Sequence, residues 1–534
     1  MAQRHLQFWP QDVPRHIDVP RTSVHYNLEV TARRFPEKAA IIFYDSPLAY
    51  AGLWQQAQSV AGFLRHRCGV KRGDRVLLFM QNSPQFVASF YGILAADAMV
   101  VPVNPMNLAD ELRHYATNAD ATTIVCGQEL YPQVRPLLAD KSLTHAIVAA
   151  YSDAIAVPTD LALPDSVKAP RAAIDEPGVT LWCDVMAASL APGLSEAGPD
   201  DLCVMPYTSG TTGLPKGCVH THATVMNTLV AGGAWFRQGQ GSVLLATLPF
   251  FHVTGMQGAM NGPIYMGSTV ILMQRWDRTT AARLIERYQV ASWTAISTMV
   301  IDFLANPDIA NHDLSSLRQM SGGGAAMPEA VAKRMKELTG LDYVEGYGLS
   351  ETIAPTHINP PDRPKKQCLG IPIFGTRRRP GHLPRTGPDG SRRDRRVRRP
   401  GVQGLLEGAG GHGRGVRRAR RPAVLPDGRP RLRRRRWLLL HRRPAEAHDQ
   451  RGRLQGLARR GRGDAVRPSG HPGGLHHLDP RRHARRDRQG DGRAESRAEG
   501  CRDRRRHHRL GAPAHGGLQD SPQHRVRRHA CLQS

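Results

Sequence analysis

From Asp74 onward the chain changes its hydrophobic period at regular intervals. DRVLLFMQN is a near-continuous apolar run, the pattern of a strand buried on both faces, and SPQFVASFYGILAADAM, which follows it, carries helical spacing. Ser83 is placed to cap that helix, with Pro84 at its first position, where a missing N–H costs nothing. MVVPVNP predicts a strand, ADELRHYATNAD a helix and TTIVC a strand. The alternation resumes with the strands SVLLATLPF, STVILMQ and VASWTAI and the helices ARLIERYQ and EAVAKRMKELTG. Short apolar strands alternating with helices predict parallel βαβ units with both sheet faces covered. The expected fold is α/β, a doubly wound parallel sheet, with ligands in the crevice at the carboxyl ends of the strands.

Composition sharpens this picture because it is uneven. The 534 residues carry a formal charge of +27, which would suit a nucleic-acid binder. Up to about Thr376 the surface charges are of mixed sign. Beyond it come RRDRRVRRP, RLRRRRW and CRDRRRHHRL. Eight cysteines are scattered with no CxxC pair, which predicts free thiols in a reducing compartment. The first twenty residues lack the apolar core of a signal peptide, and no run approaches the ~20 apolar residues of a membrane span. A cytoplasmic location is expected, while peripheral contact with a membrane stays open.

The strongest chemical signal is YTSGTTGLPKGCVHTH, from Tyr207 to His222, between the strand LCVMP and a helical stretch. Gly210, Gly213 and Gly217 permit close backbone approach. Thr208, Ser209, Thr211 and Thr212 offer hydroxyl donors, and Lys216 offers a point charge. Polyphosphate is the ligand that needs all three features. The stretch is not a Walker loop, since GxxxxGK[ST] is absent from it.

This string resembles the signature of the acyl-adenylate-forming (AMP-binding) superfamily, which includes acyl-CoA synthetases, aryl-CoA ligases, luciferases and peptide-synthetase adenylation domains. Three further strings resemble family motifs in the family's order: PFFHVTGM (Pro249–Met256), SGGGAAMPE (Ser321–Glu329) and GYGLSET (Gly346–Thr352). The resemblance implies that ATP and a carboxylate give an acyl-adenylate and pyrophosphate, after which coenzyme A displaces AMP to give a thioester.

The same resemblance assigns roles. Thr208, Ser209, Thr211, Thr212 and Lys216 would meet the β- and γ-phosphates, with Gly210 and Gly213 in the same loop. Glu351 would engage Mg²⁺ with Thr208, and Thr352 would meet the α-phosphate. Tyr347, flanked by Gly346 and Gly348, would stack on adenine, beside backbone contacts from Gly323, Gly324 and Ala325. His252, Met256, Trp293, Met299 and Gly322 are assigned to the acyl pocket; a satisfied core histidine is the alternative for His252. For Trp293 and Met299 a core position is the favoured alternative. No aspartate sits in PFFHVTGM or GGGAAMPE to hold an amino group, so an amino acid is disfavoured. The apolar set Met256, Met260, Trp293, Met299 and Met327 suits a medium- or long-chain fatty acid first and an aryl acid second.

The resemblance runs through CLGIPIFGT, Cys368–Thr376, and stops. Family members continue into a small β-barrel with an RTGD motif whose aspartate holds the ribose hydroxyls, then a hinge, a mobile C-terminal domain and a terminal lysine. After Thr376 the chain has no Lys, Asn, Ile, Met, Phe or Tyr. A segment this poor in large apolar groups is expected to be a disordered arginine-rich tail. Its alphabet is nearly that of codons beginning with C or G, as arises when a GC-rich gene is read one base over. In that other frame WLLLHRRPAEAHDQ (Trp437–Gln450) is compatible with GYFFIVDRLKRMIN, similar to the family hinge. PDGRP is compatible with RTGDL, QGLLE with KGYWK, and HGGLQDSP with MAAYKIPR, which resembles the segment of the terminal lysine. The expectation is an adenylation domain over 1–375, incomplete at its end, and an out-of-frame tail over 376–534. The frame would change near Phe374–Arg379, by mutation or by an error in reading the gene. The partners implied are fatty acid, ATP with Mg²⁺, and coenzyme A, with no specific nucleic acid. A pseudoenzyme that binds ATP or acyl groups without turnover, and a basic nucleic-acid-binding protein, are the competing readings.

Overall fold

A computed structural model describes residues 4–208 and 214–376. The expectations for the arginine-rich tail, including Trp437–Gln450, and for Ser209, Gly210, Thr211, Thr212 and Gly213 lie outside the described residues. In chain order the strands are β1 (Ala39–Phe43), β2 (Ser46–Ala49), β3 (Arg75–Phe79), β4 (Met99–Pro102), β5 (Thr123–Gly127), β6 (His145–Ala149) and β7 (Val179–Leu181). Next come β8 (Leu202–Val204), β9 (Tyr207–Thr208), β10 (Lys216–Gly217), β11 (His220–Thr221) and β12 (Val243–Ala246). The last are β13 (Thr269–Leu272), β14 (Ser292–Thr294), β15 (Gln319–Gly323), β16 (Tyr343–Tyr347), β17 (His357–Ile358) and β18 (Ile371–Pro372).

Among the described residues these strands build two large sheets rather than one. The first has the order β11-β8-β4-β3-β5-β6-β7, and the second β18-β17-β16-β15-β14-β12-β13-β1-β2. The interior pairs of both are parallel. Antiparallel strands close the edges: β11 on one sheet, and β2, β17 and β18 on the other.

The unbroken apolar run of β3 has a direct cause. Val76 and Leu78 pack in the large core shared by both sheets, while Leu77 and Phe79 pack on the opposite face with Leu112, Ile124 and Val134. Both faces are covered, so neither register can be polar. The helix Pro84–Ala95 begins as expected, with the Ser83 hydroxyl accepting from the backbone N–H of Phe86 at 3.1 Å. The N-terminal segment closes on the last described residues. The Trp9 ring meets Trp235 and Phe374 edge-on at 4.9 and 5.0 Å, and its Nε1–H donates to the Val13 carbonyl. Residues up to Thr376 are therefore integrated into the core, and no described helix is long and apolar enough to cross a membrane. The six described cysteines are unpaired thiols, as expected.

Candidate functional site

Two segments from different sheets converge at the site. The first is a short hairpin in which Thr208 pairs with Lys216 and Tyr207 with Gly217, antiparallel, as the two arms of the glycine-rich loop. The helix Ala109–Ala119 fixes the arms from outside. The Tyr207 hydroxyl donates to Asn118 Oδ1 at 2.7 Å, its ring packs on Tyr115, and His114 Nε2–H donates to the Pro215 carbonyl at 3.1 Å. Burial raises the Tyr207 hydroxyl pKa, so it stays a neutral donor.

The second segment follows β16. Residues 349–352 form a tight turn held by the Thr352 hydroxyl, which accepts from the N–H of Leu349 and donates to its carbonyl, both at 3.1 Å. The two segments touch through His220, whose Nε2–H donates to the Ser350 carbonyl at 2.7 Å. Glu351 and Thr352 then face a cleft lined also by Thr224, Asn227, Thr356 and Phe374.

The charges here are uncompensated. Glu351 and Lys216 are half-buried, and neither makes an ion pair or side-chain hydrogen bond with any described residue. Glu351 lies near enough to Cys218 to add to the rise of its thiol pKa to about 12, which burial dominates. No group of three or more His, Cys, Asp or Glu among the described residues could cage a metal. A lone carboxylate with a nearby hydroxyl suits Mg²⁺, which takes one or two carboxylates and fills its shell from phosphate and water. The donor set therefore fits that ion only with a phosphate ligand present.

Around this centre the strand ends are shaped by contact. A Cβ on Gly322, at the end of β15, would overlap the Ala295 carbonyl and the Tyr343 hydroxyl, so only glycine fits. Gly324 has φ +84, a left-handed turn that exposes the backbone of Gly323–Ala325. Gly346 pairs with Gly323 across β15 and β16, and Tyr347, half-buried before Gly348, meets the His357 ring edge-on at 6.2 Å.

The acyl-pocket residues divide. His252 caps the turn Val253–Gly255, where its Nδ1 accepts from Thr254 N–H at 3.3 Å. Its side chain is exposed, which does not fit a satisfied core histidine, and the protein packed around it lowers its pKa by desolvation. Met256 is fully buried in a π-helical stretch, Met256–Asn261, and Met299 is half-buried beneath Thr247. Trp293, assigned to the acyl pocket with a core position as the favoured alternative, takes the core position. It stacks on Trp276 at 5.4 Å, meets Phe303 edge-on and donates to Thr247 Oγ1 at 3.0 Å, with no exposed surface. It is a core residue and lines no open wall.

Two positions went unmarked in the sequence. Glu345 is buried and accepts from the N–H groups of Met327 (2.7 Å) and Cys368 (3.1 Å), tying the strand-end loop to the last described segment. Its signal was a charged residue inside the apolar run YVEGY. His220 had a signal too, as the first of two histidines in VHTH.

Behind the hairpin lie two buried histidines, His25 and His222, with the Val24 N–H donating to His222 Nδ1 at 3.0 Å. Desolvation lowers both to about 4 from 6.5; Asp97 partly offsets this for His25, and His222 feels His25 as well. The unfolded chain takes up these protons near pH 6.5 and the folded chain only near 4. Stability is therefore unaffected above about pH 7 and falls as pH drops from 6.5 toward 4. Taking the protein from pH 7.5 to 5 should cost about 2 kcal/mol per histidine. Urea midpoints at the two pH values measure it, and an unshifted midpoint would contradict it.

The family model described as AMP-binding enzyme matches residues 28–379, and its end coincides with the change of composition near Thr376. A long-chain-fatty-acid–CoA ligase of Bacillus subtilis is 31% identical over 363 residues, covering 66% of this chain and 64% of its own length. The chain thus spans somewhat under two thirds of that relative. A 4-coumarate-CoA ligase of Narcissus pseudonarcissus is 28% identical over 335 residues, covering 60% of this chain and 55% of its own. Among solved structures, the inhibitor-bound N-terminal domain of FACL13 from Mycobacterium tuberculosis superposes with a TM-score of 0.57 at 25% identity, covering 66% of this chain and 83% of that one. A long-chain-fatty-acid–CoA ligase from Archaeoglobus fulgidus shares the fold, with a TM-score of 0.57 at 22% identity and coverage of 68% and 71%.

Proposed function

This chain belongs to the AMP-binding enzyme family, and on that premise we propose that its chemistry is ATP-dependent formation of a fatty acyl-CoA thioester, completed only by an in-frame product of its gene. The observation that carries the reading is the bond from His220, three residues beyond the hairpin, to Ser350 of the 349–352 turn, which brings the segment after Lys216 to the turn that holds Glu351, two charges unpaired among the described residues. A triphosphate bridging them satisfies both charges, directly at Lys216 and through a cation at Glu351.

In the first step a carboxylate oxygen of the acid attacks the α-phosphorus of ATP, and pyrophosphate leaves. Lys216 and the loop hydroxyls of Thr208, Ser209, Thr211 and Thr212 neutralise the departing charge, and Thr352 orients the α-phosphate. Mg²⁺, held by Glu351 and Thr208, would supply charge neutralisation on the phosphates when bound. Tyr347 and the backbone of Gly323–Ala325 would hold adenine. In the second step the thiol of coenzyme A attacks the acyl carbon, loses its proton, and AMP departs. His252 would border the acyl side of that exchange.

Residues 1–375 are then the adenylation part. The tail from 376 supplies neither the ribose-binding aspartate nor the terminal lysine, because the reading frame changes near Phe374–Arg379. What supports a fatty acid over an aryl acid is the greater likeness to a long-chain-fatty-acid–CoA ligase, at 31% identity, than to a 4-coumarate-CoA ligase, at 28%. In an apolar acyl pocket each methylene adds about 1 kcal/mol of discrimination. Thioester formation by the in-frame product with C8–C18 acids, benzoate and 4-coumarate tests this. Long-chain acids should exceed aryl acids at least tenfold in kcat/KM, by about 1.4 kcal/mol or more. Preference for an aryl acid would overturn the substrate class while leaving the reaction type standing.

A further inference from the structure

We propose that His220 is a positioning residue, setting the spacing between the phosphate-loop arm and the Ser350–Thr352 turn through one hydrogen bond. The proposal rests on the nucleotide-site reading above. His220 lies in β11, antiparallel to β8 at the edge of the seven-stranded sheet. Ser350 opens the turn that follows β16 of the nine-stranded sheet. The 2.7 Å bond between them therefore ties one sheet to the other.

Its position in the chain gives the bond its consequence. Four residues before His220 is Lys216, and directly after Ser350 come Glu351 and Thr352. Only short stretches of backbone separate the bond from the charges that would share one triphosphate. A carbonyl oxygen can only accept, so the ring carries its proton on Nε2 and donates. His220 is 4% exposed, so its ring has little freedom to swing away. An apolar side chain of similar size fills the space but makes no bond, and the two segments then lose their common register. Ligands that touch both segments suffer, and ligands that touch only the adenine side do not.

His220→Leu removes the donor, and His220→Gln keeps an N–H at nearly the same reach. Calorimetry on the full chain with Mg·ATP and, separately, with adenosine reads the outcome. His220→Leu should weaken Mg·ATP about tenfold with adenosine unchanged, and His220→Gln should recover most of the loss. Amide hydrogen exchange at 351–353 should quicken in His220→Leu alone. Equal weakening of both ligands, or Mg·ATP binding at the parent affinity, overturns the proposal. If the parent chain binds neither ligand, the nucleotide reading fails by itself, and the exchange arm still decides: unchanged exchange in His220→Leu overturns the tie, and faster exchange confined to the turn supports it.

Discussion

If the reading frame changes near codon 376 as proposed, a product with the frame restored there is expected to form acyl-CoA about 10³-fold or more faster than this chain. Catalysis at phosphorus is mostly positioning and charge neutralisation, so each lost contact costs orders of magnitude. A buried donor or cation aimed at developing charge is worth about 10²–10³ in rate; under the proposed frame change the chain lacks one such group, the terminal lysine, and also the aspartate whose carboxylate would accept from the ribose hydroxyls and position the nucleotide. On the proposed reading the residues it retains, Lys216, Glu351, Thr352 and the adenine-side backbone, would act mainly in binding ATP. Pyrophosphate release and thioester yield, measured on both proteins at equal concentration, give the ratio. A ratio near one would mean that the arginine-rich residues supply what the barrel and C-terminal domain supply elsewhere.

Trp293→Ala is expected to destabilise the described domain by about 3–5 kcal/mol. The ring lies in β14, between β12 and β15 at the centre of the nine-stranded sheet, sealed between Trp276 and Phe303. Truncation would leave a cavity that the sheet backbone cannot collapse into, and the Thr247 hydroxyl would lose its donor. Trp293→Phe keeps most of the packing and should cost about 1–2 kcal/mol. Denaturant midpoints of the three proteins at neutral pH check the order. If Trp293→Ala were as stable as the parent while altering acyl selectivity, Trp293 would belong to the pocket after all.

Much of this architecture was legible from periodicity because both sheets are covered on both faces. β3, β4, β5 and β13 are largely apolar and buried along almost their whole length, so they cannot be mistaken for surface, and Ser83–Pro84 marks a helix start by hydrogen-bond chemistry alone. The edges were not legible. β11, β17 and β18 are two residues long, and their antiparallel pairing depends on where the chain returns, which no local pattern encodes. The division into two sheets was hidden for the same reason. At the site, the hairpin arms and the 349–352 turn were visible as strings, but not the bond joining them, since His220 and Ser350 are 130 residues apart. For Trp293 the sequence favoured a core position without excluding the pocket, and the stacking on Trp276 supplies what the local pattern lacks. Glu345 was overlooked because a lone glutamate in a strand has no partner until the fold brings the N–H groups of Met327 and Cys368 to it.

The most direct test sets the chain as written beside its in-frame product with Mg·ATP, palmitate and coenzyme A, following bound nucleotide by calorimetry and thioester by mass. Both proteins should bind Mg·ATP, the chain as written more weakly, and only the in-frame product should yield palmitoyl-CoA. Palmitoyl-CoA from both chains at the same rate, or no nucleotide bound by either, would contradict the account.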